Sequence, residues 1–347
     1  MWRYGNRLIV VLGGLLSLGF VAGVEAEAAT VRIGVVNSSS DAPMYIAEKR
    51  GYFKQEDIQP EFVTFDTAAK MIAPLGVGHL DVGGGGVSAG LYNSVARGIG
   101  IKIVADKGSM PPPYGFFQLL VRKDLIDSGK VKDLKDLKGL KVAITAVGST
   151  ADSLLNEALK KGGLKWGDAE VVTMGFSQQV MALQNRAVDA SITPEPSATL
   201  AVQRGVAVRF GMGDEIYPRQ QVAVLLYGDK FIKDQPELAK KFMRAYIRAA
   251  RDYNDALKDG KLTGPDAEKI IAILNEKTSI KDPNVYRSIT PNGVNPDGKV
   301  FEDSLKKDLQ FFKDRKMIDG NITVEEVIDH SFVAAALKDL GLYQPRK

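Results

Sequence analysis

Gly34-Val35-Val36-Asn37-Ser38-Ser39-Ser40-Asp41-Ala42-Pro43-Met44-Tyr45-Ile46-Ala47-Glu48-Lys49-Arg50-Gly51-Tyr52-Phe53 reads as strand, polar loop and helix. Val31, Ile33, Val35 and Val36 are β-branched and apolar, as in a strand buried on both sides of a parallel sheet. Three serines and an asparagine follow, side chains that bond readily to backbone or ligand. Asp41 then stands before Ala42-Pro43, an N-cap acid with a proline in the first helical turn. Gly51 ends the helix as a C′ glycine does. A hydroxyl-rich turn thus joins the carboxyl end of a strand to a helix N-terminus. In open α/β sheets ligands bind there, and the positive end of the helix favours an anion. The same turn also fits a plain helix cap, and the stretch alone supports both readings.

Outward from this stretch the pattern alternates. Residues 59–65, 79–82 and 101–105 read as strands, and residues 68–75 and 87–97 as helices. That βαβαβαβ order calls for a mostly parallel sheet with helices on both faces. Gly83 to Gly86 let the backbone approach a ligand and expose its N–H groups. No Gly-Lys-Ser/Thr follows them, so they are not a nucleotide-binding P-loop; a tight turn under close helix–sheet packing is the other reading. Pro111-Pro112-Pro113-Tyr114 stiffens the chain into a crossing. The same grammar restarts at Leu140, with strands at 141–145, 170–173, 188–193 and 205–210 and helices at 151–161, 177–184 and after Pro194-Glu195-Pro196. Residues 221–227 form an apolar strand that carries the chain back. Gly78-His79-Leu80-Asp81-Val82 is echoed by Arg186-Ala187-Val188-Asp189-Ala190, which fits two similar lobes. From Asp229 the chain is helical, and Leu238, Phe242, Tyr246, Ala249 and Tyr253 form one apolar stripe. The expected division is residues 29–113 with 228–347 in lobe 1 and residues 114–227 in lobe 2.

The chain has 347 residues, 45% of them hydrophobic, enough to build two cores. A net charge of +4 without a basic run interleaved with aromatics argues against nucleic acid as a partner. Arg3 and Arg7, the apolar run over residues 8–24 and Ala26-Glu27-Ala28 read as a signal peptide over residues 1–28. The alternative is an uncleaved anchor, for which the run is short against a span of ~20 residues. Cysteine is absent, which excludes disulfides, thiolate metal sites, a Cys nucleophile and a lipid-modified N-terminus. His79 and His330 are too few for a multi-His metal site. The expectation is a soluble, monomeric, periplasmic protein with no cofactor and no metal.

The chain resembles the periplasmic substrate-binding proteins of ABC importers, in the nitrate/sulfonate/taurine (SsuA/THI5-like) group. The residues that carry this are Ala42-Pro43-Met44-Tyr45-Ile46-Ala47, Gly51-Tyr52-Phe53, Gly78-His79-Leu80-Asp81-Val82, Leu137-Lys138-Gly139-Leu140-Lys141-Val142-Ala143, Ala182-Leu183, Val188-Asp189-Ala190 and Glu195-Pro196, in the group's order. The chain departs from the group at Asp57 and at Arg186-Ala187, where the group carries glycine. It also lacks the cysteine-rich motif of the thiamin-pyrimidine synthase branch. The resemblance implies a two-lobed α/β Venus-flytrap fold, a ligand cleft between lobes, a helical tail on lobe 1, and docking on an inner-membrane permease with its ATPase. Ser38, Ser39 and Asp41, Gly84, Gly85 and Gly86, Ser149 and Thr150, and Glu195 are the expected cleft residues, with Tyr114 and Tyr217 as walls and Arg219 as a positive charge. Hydroxyls at two helix N-termini suit a sulfonate or carboxylate, with an amine or aromatic ring on the same ligand also compatible. Asp41 is expected as an N-cap and Glu195 as a ligand contact. Closure is expected about hinges at 111–114 and 221–227. The rival readings are a periplasmic enzyme on the same fold, for which no acid or base is placed by sequence, and a ligand-sensing partner of a membrane receptor.

Overall fold

Val31, Ile33 and Val35 are buried in β1 (Ala29–Val35), and the chain enters a short turn and the helix Ala42–Lys49 where the Asp-Ala-Pro signal stands. This computed structural model describes residues 1–2 and 28–345; the expected signal peptide lies, apart from its ends, outside them. One five-stranded sheet has the order β2-β1-β3-β10-β4, built with β2 (Ile58–Thr64), β3 (Val82–Gly85), β4 (Ile101–Ser109) and β10 (Gln221–Gly228). The second has the equivalent order β7-β6-β8-β5-β9, from β5 (Phe117–Arg122), β6 (Lys141–Ile144), β7 (Glu170–Thr173), β8 (Ala190–Pro194) and β9 (Ala207–Met212). In each sheet one strand runs against the rest: β10 is antiparallel to β3 and β4, and β5 to β8 and β9. These are the two strands that have just crossed from the other sheet, so both sheets are mixed. The fold is α/β with two lobes.

One boundary moves. β10 pairs with β4 from Gln221 to Gly228, so residues 221–227 belong to the first sheet, and the return crossing lies between Met212 and Gln221. The hinge expected at 221–227 is thereby corrected to the segment before it, because the apolar run is a central strand and not a connector.

The echo between the halves has a physical content. Asp81 N–H donates to Arg32 O at 3.1 Å while its carboxylate accepts from Arg32 N–H at 2.8 Å. Asp189 repeats this on Lys141, at 2.8 and 3.0 Å. Asp81 therefore staples the start of β3 to β1, and Asp189 the start of β8 to β6. Asp57, and Arg186 of the Arg186-Ala187 pair at which the chain departs from the resembled group, both adopt left-handed backbone (φ 57° and 59°), the conformation glycine takes at least cost.

The first sheet is covered on one face by Ala42–Lys49 and the long helix Pro236–Asp255, with Phe53, Phe242 and Tyr227 fully buried between them. Its other face carries Leu305, Leu309 and Phe312 of the helix Glu302–Asp314. The tail thus packs on the first lobe, as expected. Glu302–Asp314 also reaches the second lobe: Lys307 pairs with Glu157 at 2.7 Å, Arg315 at its end pairs with Asp152 at 2.6 Å, and Asp308 accepts a hydrogen bond from Ser153.

Asp308 is fully buried, and burial pushes its carboxyl up to about 7. Between about pH 4 and pH 7 the folded chain therefore holds a proton that an ordinary aspartate of the unfolded chain has lost. Its contribution is full below that window and is lost as pH rises through it, on the order of 4 kcal/mol. Thermal unfolding from pH 5 to pH 8 is expected to show this fall, and Asp308→Asn, which cannot ionise, to flatten it. The same pH profile in both proteins would sink the assignment.

Candidate ligand-binding cleft

The carboxyl ends of β1, β2 and β3 face those of β6 and β7 across the gap between the sheets, as the topology of an open α/β fold requires of a ligand site. The loop after β1 contributes Val36, Ser38 and Ser40; the loop after β2, Thr67 and Ala68; the loop after β3, Gly86 and Ser88. From the other lobe come Thr145, Ala146, Ser149, Thr150 and Phe176. Phe116 and Phe117 at the start of β5 close the floor, with Val222 and Ala223 of β10. The cavity they enclose is about 40 Å³, well below the range usual for small-molecule sites, so a ligand larger than a water or two requires the lobes to part. A second, more polar cavity of about 180 Å³ shares Val36 and Phe176 with it and is lined by Asn37, Asp66, Ser177 and Gln178 among others.

Two helices begin on this rim. Ser88 caps Ala89–Ala96, its Oγ accepting from Leu91 N–H at 3.3 Å, and Ser149 caps Thr150–Lys161, accepting from Asp152 N–H at 3.4 Å. The lobes touch between these caps: Ala89 N–H donates to Gly148 O at 2.8 Å. Ser149 Oγ spends its own hydrogen on Ala146 O at 2.6 Å. What the rim offers a ligand is therefore the positive ends of two helices. Among the described residues that line the main cavity, none carries a charge.

Ser38, Gly85, Gly86, Ser149 and Thr150 of the expected site line the cleft. Ser39, Asp41, Gly84 and Glu195 lie behind it. Asp41 has no exposed surface; its Oδ2 accepts from Val36 and Ser38 N–H at 3.2 and 3.0 Å, and its Oδ1 is 2.7 Å from the ammonium of the equally buried Lys107. Gly84 leaves room for that lysine: a Cβ there would stand 2.6 Å from Lys107 Cε.

Glu195 is also fully buried, and burial raises its carboxyl above the usual range. Its Oε1 accepts from Gln118 Nε2 at 2.6 Å, Thr199 Oγ1 at 2.9 Å and Thr290 N–H at 3.1 Å; its Oε2 accepts from Thr199 N–H at 2.9 Å. Thr290 follows Ile289 in the tail that packs on lobe 1, so Glu195 ties the lobes together and is not brought to the cleft lining.

Tyr114, Tyr217 and Arg219 are not brought to the cleft either. The Tyr114 hydroxyl bonds the backbone of Gly260. Tyr217 donates to Ser304 O at 3.3 Å and carries Lys307 Nζ 4.0 Å from its ring centre, and Arg219 lies over Phe301 at 5.3 Å. All three lean on the tail instead of walling the cleft. Missed from sequence were Ser40, Thr67, Ser88, Thr145, the phenyl rings of Phe116, Phe117 and Phe176, and Lys107. Ser88 was findable, as a serine opening a helix after the glycine run.

A family model described as the NMT1-like family matches residues 24–261. A protein of Bacillus subtilis (strain 168) named for binding aliphatic sulfonates is 27% identical over 342 residues, covering 96% of this chain and 95% of its own. A protein of Aspergillus parasiticus named 4-amino-5-hydroxymethyl-2-methylpyrimidine phosphate synthase is 26% identical over 224 residues, 61% of this chain and 62% of its own. Among solved structures, the alkanesulfonate-binding protein SsuA from Xanthomonas axonopodis pv. citri bound to MOPS matches with a TM-score of 0.69 at 20% identity, covering 88% of this chain and 99% of that one. The periplasmic nitrate-binding protein NrtA from Synechocystis PCC 6803 matches with a TM-score of 0.73 at 16% identity, covering 91% and 90%. The fold is that of the periplasmic binding proteins.

Proposed function

The chain belongs to the NMT1-like family, and from that premise we propose that it is the solute-binding component of an ABC importer, taking up a small organic anion of the sulfonate or carboxylate class. The observation that carries this is a main cavity with no charged residue among its described lining, rimmed by helix N-termini from both lobes and floored by phenyl rings. Helix N-termini with hydroxyls hold an oxyanion without a paired cation. Phe116, Phe117 and Phe176 would gain nothing from a bare nitrate, whereas they bury an alkyl or aryl group. The ligand touches both lobes, so it favours the closed state, and the closed form docks on an inner-membrane permease served by an ATPase. Export through the signal peptide to the periplasm belongs to the same reading. No helix among the described residues is long and apolar enough to cross a membrane.

The synthase relative keeps an enzyme on this fold as the second reading. Against it, no described residue that lines the main cavity is an Asp, Glu, His, Lys or Arg that could act as acid or base, and the chain holds no cysteine. Thermal unfolding of the chain from Ala29 against alkane- and arenesulfonates, carboxylates, nitrate, bicarbonate and aminopyrimidines tests both. A sulfonate or carboxylate at about 100 times its dissociation constant is expected to add about 2.7 kcal/mol and to be recovered unchanged. Consumption of any compound would put the enzyme first; a response to nitrate or bicarbonate alone would overturn the organic anion.

A further inference from the structure

An ammonium lies one hydroxyl behind the cleft. Lys107 on β4 and Asp41 both have no exposed surface, with Nζ 2.7 Å from Oδ1. The other carboxylate oxygen is taken by the backbone N–H groups of Val36 and Ser38. The negative end of the pair is thus absorbed by the main chain, while the ammonium also donates to Ser40 Oγ at 2.8 Å. Ser40 Oγ is 2.7 Å from Ser38 Oγ, and both serines line the cavity.

The hydrogens can be counted. Each hydroxyl owns one, their mutual bond uses one of the two, and Lys107 brings its own. One serine hydrogen is left over, and among the described residues lining the main cavity there is no carboxylate to take it. We infer that Lys107 sets the preference of the cleft for pure acceptors, as a positioning residue that acts through Ser40 and Ser38. By filling a lone pair of Ser40, the ammonium polarises the two hydroxyls and commits the free hydrogen to donation. A sulfonate or carboxylate oxygen accepts it; an isosteric sulfonamide, whose nitrogen donates, gains less. The inference rests on the organic-anion reading of the cleft.

The test removes both buried charges together, as Lys107→Met with Asp41→Asn, since removing one alone strands the other. Butanesulfonate and benzenesulfonate are titrated calorimetrically beside the corresponding sulfonamides. The expected result is a sulfonate affinity at least about tenfold weaker with sulfonamide affinity held, so that the ratio between the two collapses. A pair that only holds the fold together would lower the unfolding temperature and leave the ratio unmoved. Should the double variant not fold, Ser40→Ala breaks the relay with the ion pair intact, and the same fall in the ratio is expected. Sulfonate binding by the wild type with an unchanged ratio in the variants overturns the inference alone. A wild type that binds no sulfonate and no carboxylate overturns the parent reading and the inference with it.

Discussion

Gly86→Val is expected to cost the protein about a hundredfold in ligand affinity, near 3 kcal/mol, with its fold intact. Gly86 follows β3 in the first lobe and faces Thr150, the first residue of a helix in the second. A Cβ at Gly86 would stand 2.8 Å from Thr150 Oγ1 and 3.2 Å from Val222 O. The first is closer than real Cβ contacts come, so a branched side chain acts as a wedge between lobes. Gly86 does not have a positive φ, so its backbone accepts valine, and the wedge acts on closure more than on either core. If closure is the binding-competent state, propping it open taxes every ligand alike. Small-angle scattering checks this directly: ligand should compact the wild type and leave the variant extended. Unchanged affinity together with unchanged compaction would mean that the lobes do not meet at Gly86 and Thr150 when ligand is bound.

What was legible in the sequence and what was not divide along the reach of the interactions. Strands and helices follow from β-branched runs, caps and glycine stops, which are local, and the repeat of that grammar announced two lobes. Ser38 and Ser149 were legible for the same reason, as hydroxyls where a strand turns into a helix. Lys107 was not. The apolar run that marks its strand ends at Ala105, and Asp106 and Lys107 after it are both charged. Both have no exposed surface, since each is satisfied by residues far along the chain: Lys107 by Asp41, Asp106 by Gln221 and the backbone of Asn295. Tyr217 and Arg219 fail for a related reason. They lie near a crossing, as expected, but they meet Phe301, Ser304 and Lys307 of the tail, and no local pattern encodes where a tail docks. Gly84 was expected to admit a ligand to the backbone; it admits a lysine side chain instead.

Glu195→Ala is expected to destabilise the protein by about 3 to 5 kcal/mol and to loosen closure. The carboxylate accepts four hydrogen bonds, from Gln118, Thr290 and twice from Thr199, with Arg209 Nη2 3.6 Å away. Truncation leaves buried donors without an acceptor, the costly side of the hydrogen-bond asymmetry. Two of its links cross between lobes: the side chain holds Thr290 N–H, and its own carbonyl accepts from Ser39 N–H at 3.3 Å. Only the first depends on the side chain, so Glu195→Gln, which keeps Oε1 but turns a donor toward Thr199 N–H, should lose less. Urea unfolding of the two variants gives the stability order. Binding separates the two roles the residue could have. A clasp between lobes weakens sulfonates, carboxylates and amino-substituted anions by one common factor, because it acts on closure. A contact with the ligand weakens only those carrying an ammonium. The fully committed carboxylate predicts the common factor, and a loss confined to amino-substituted anions would return Glu195 to the cleft.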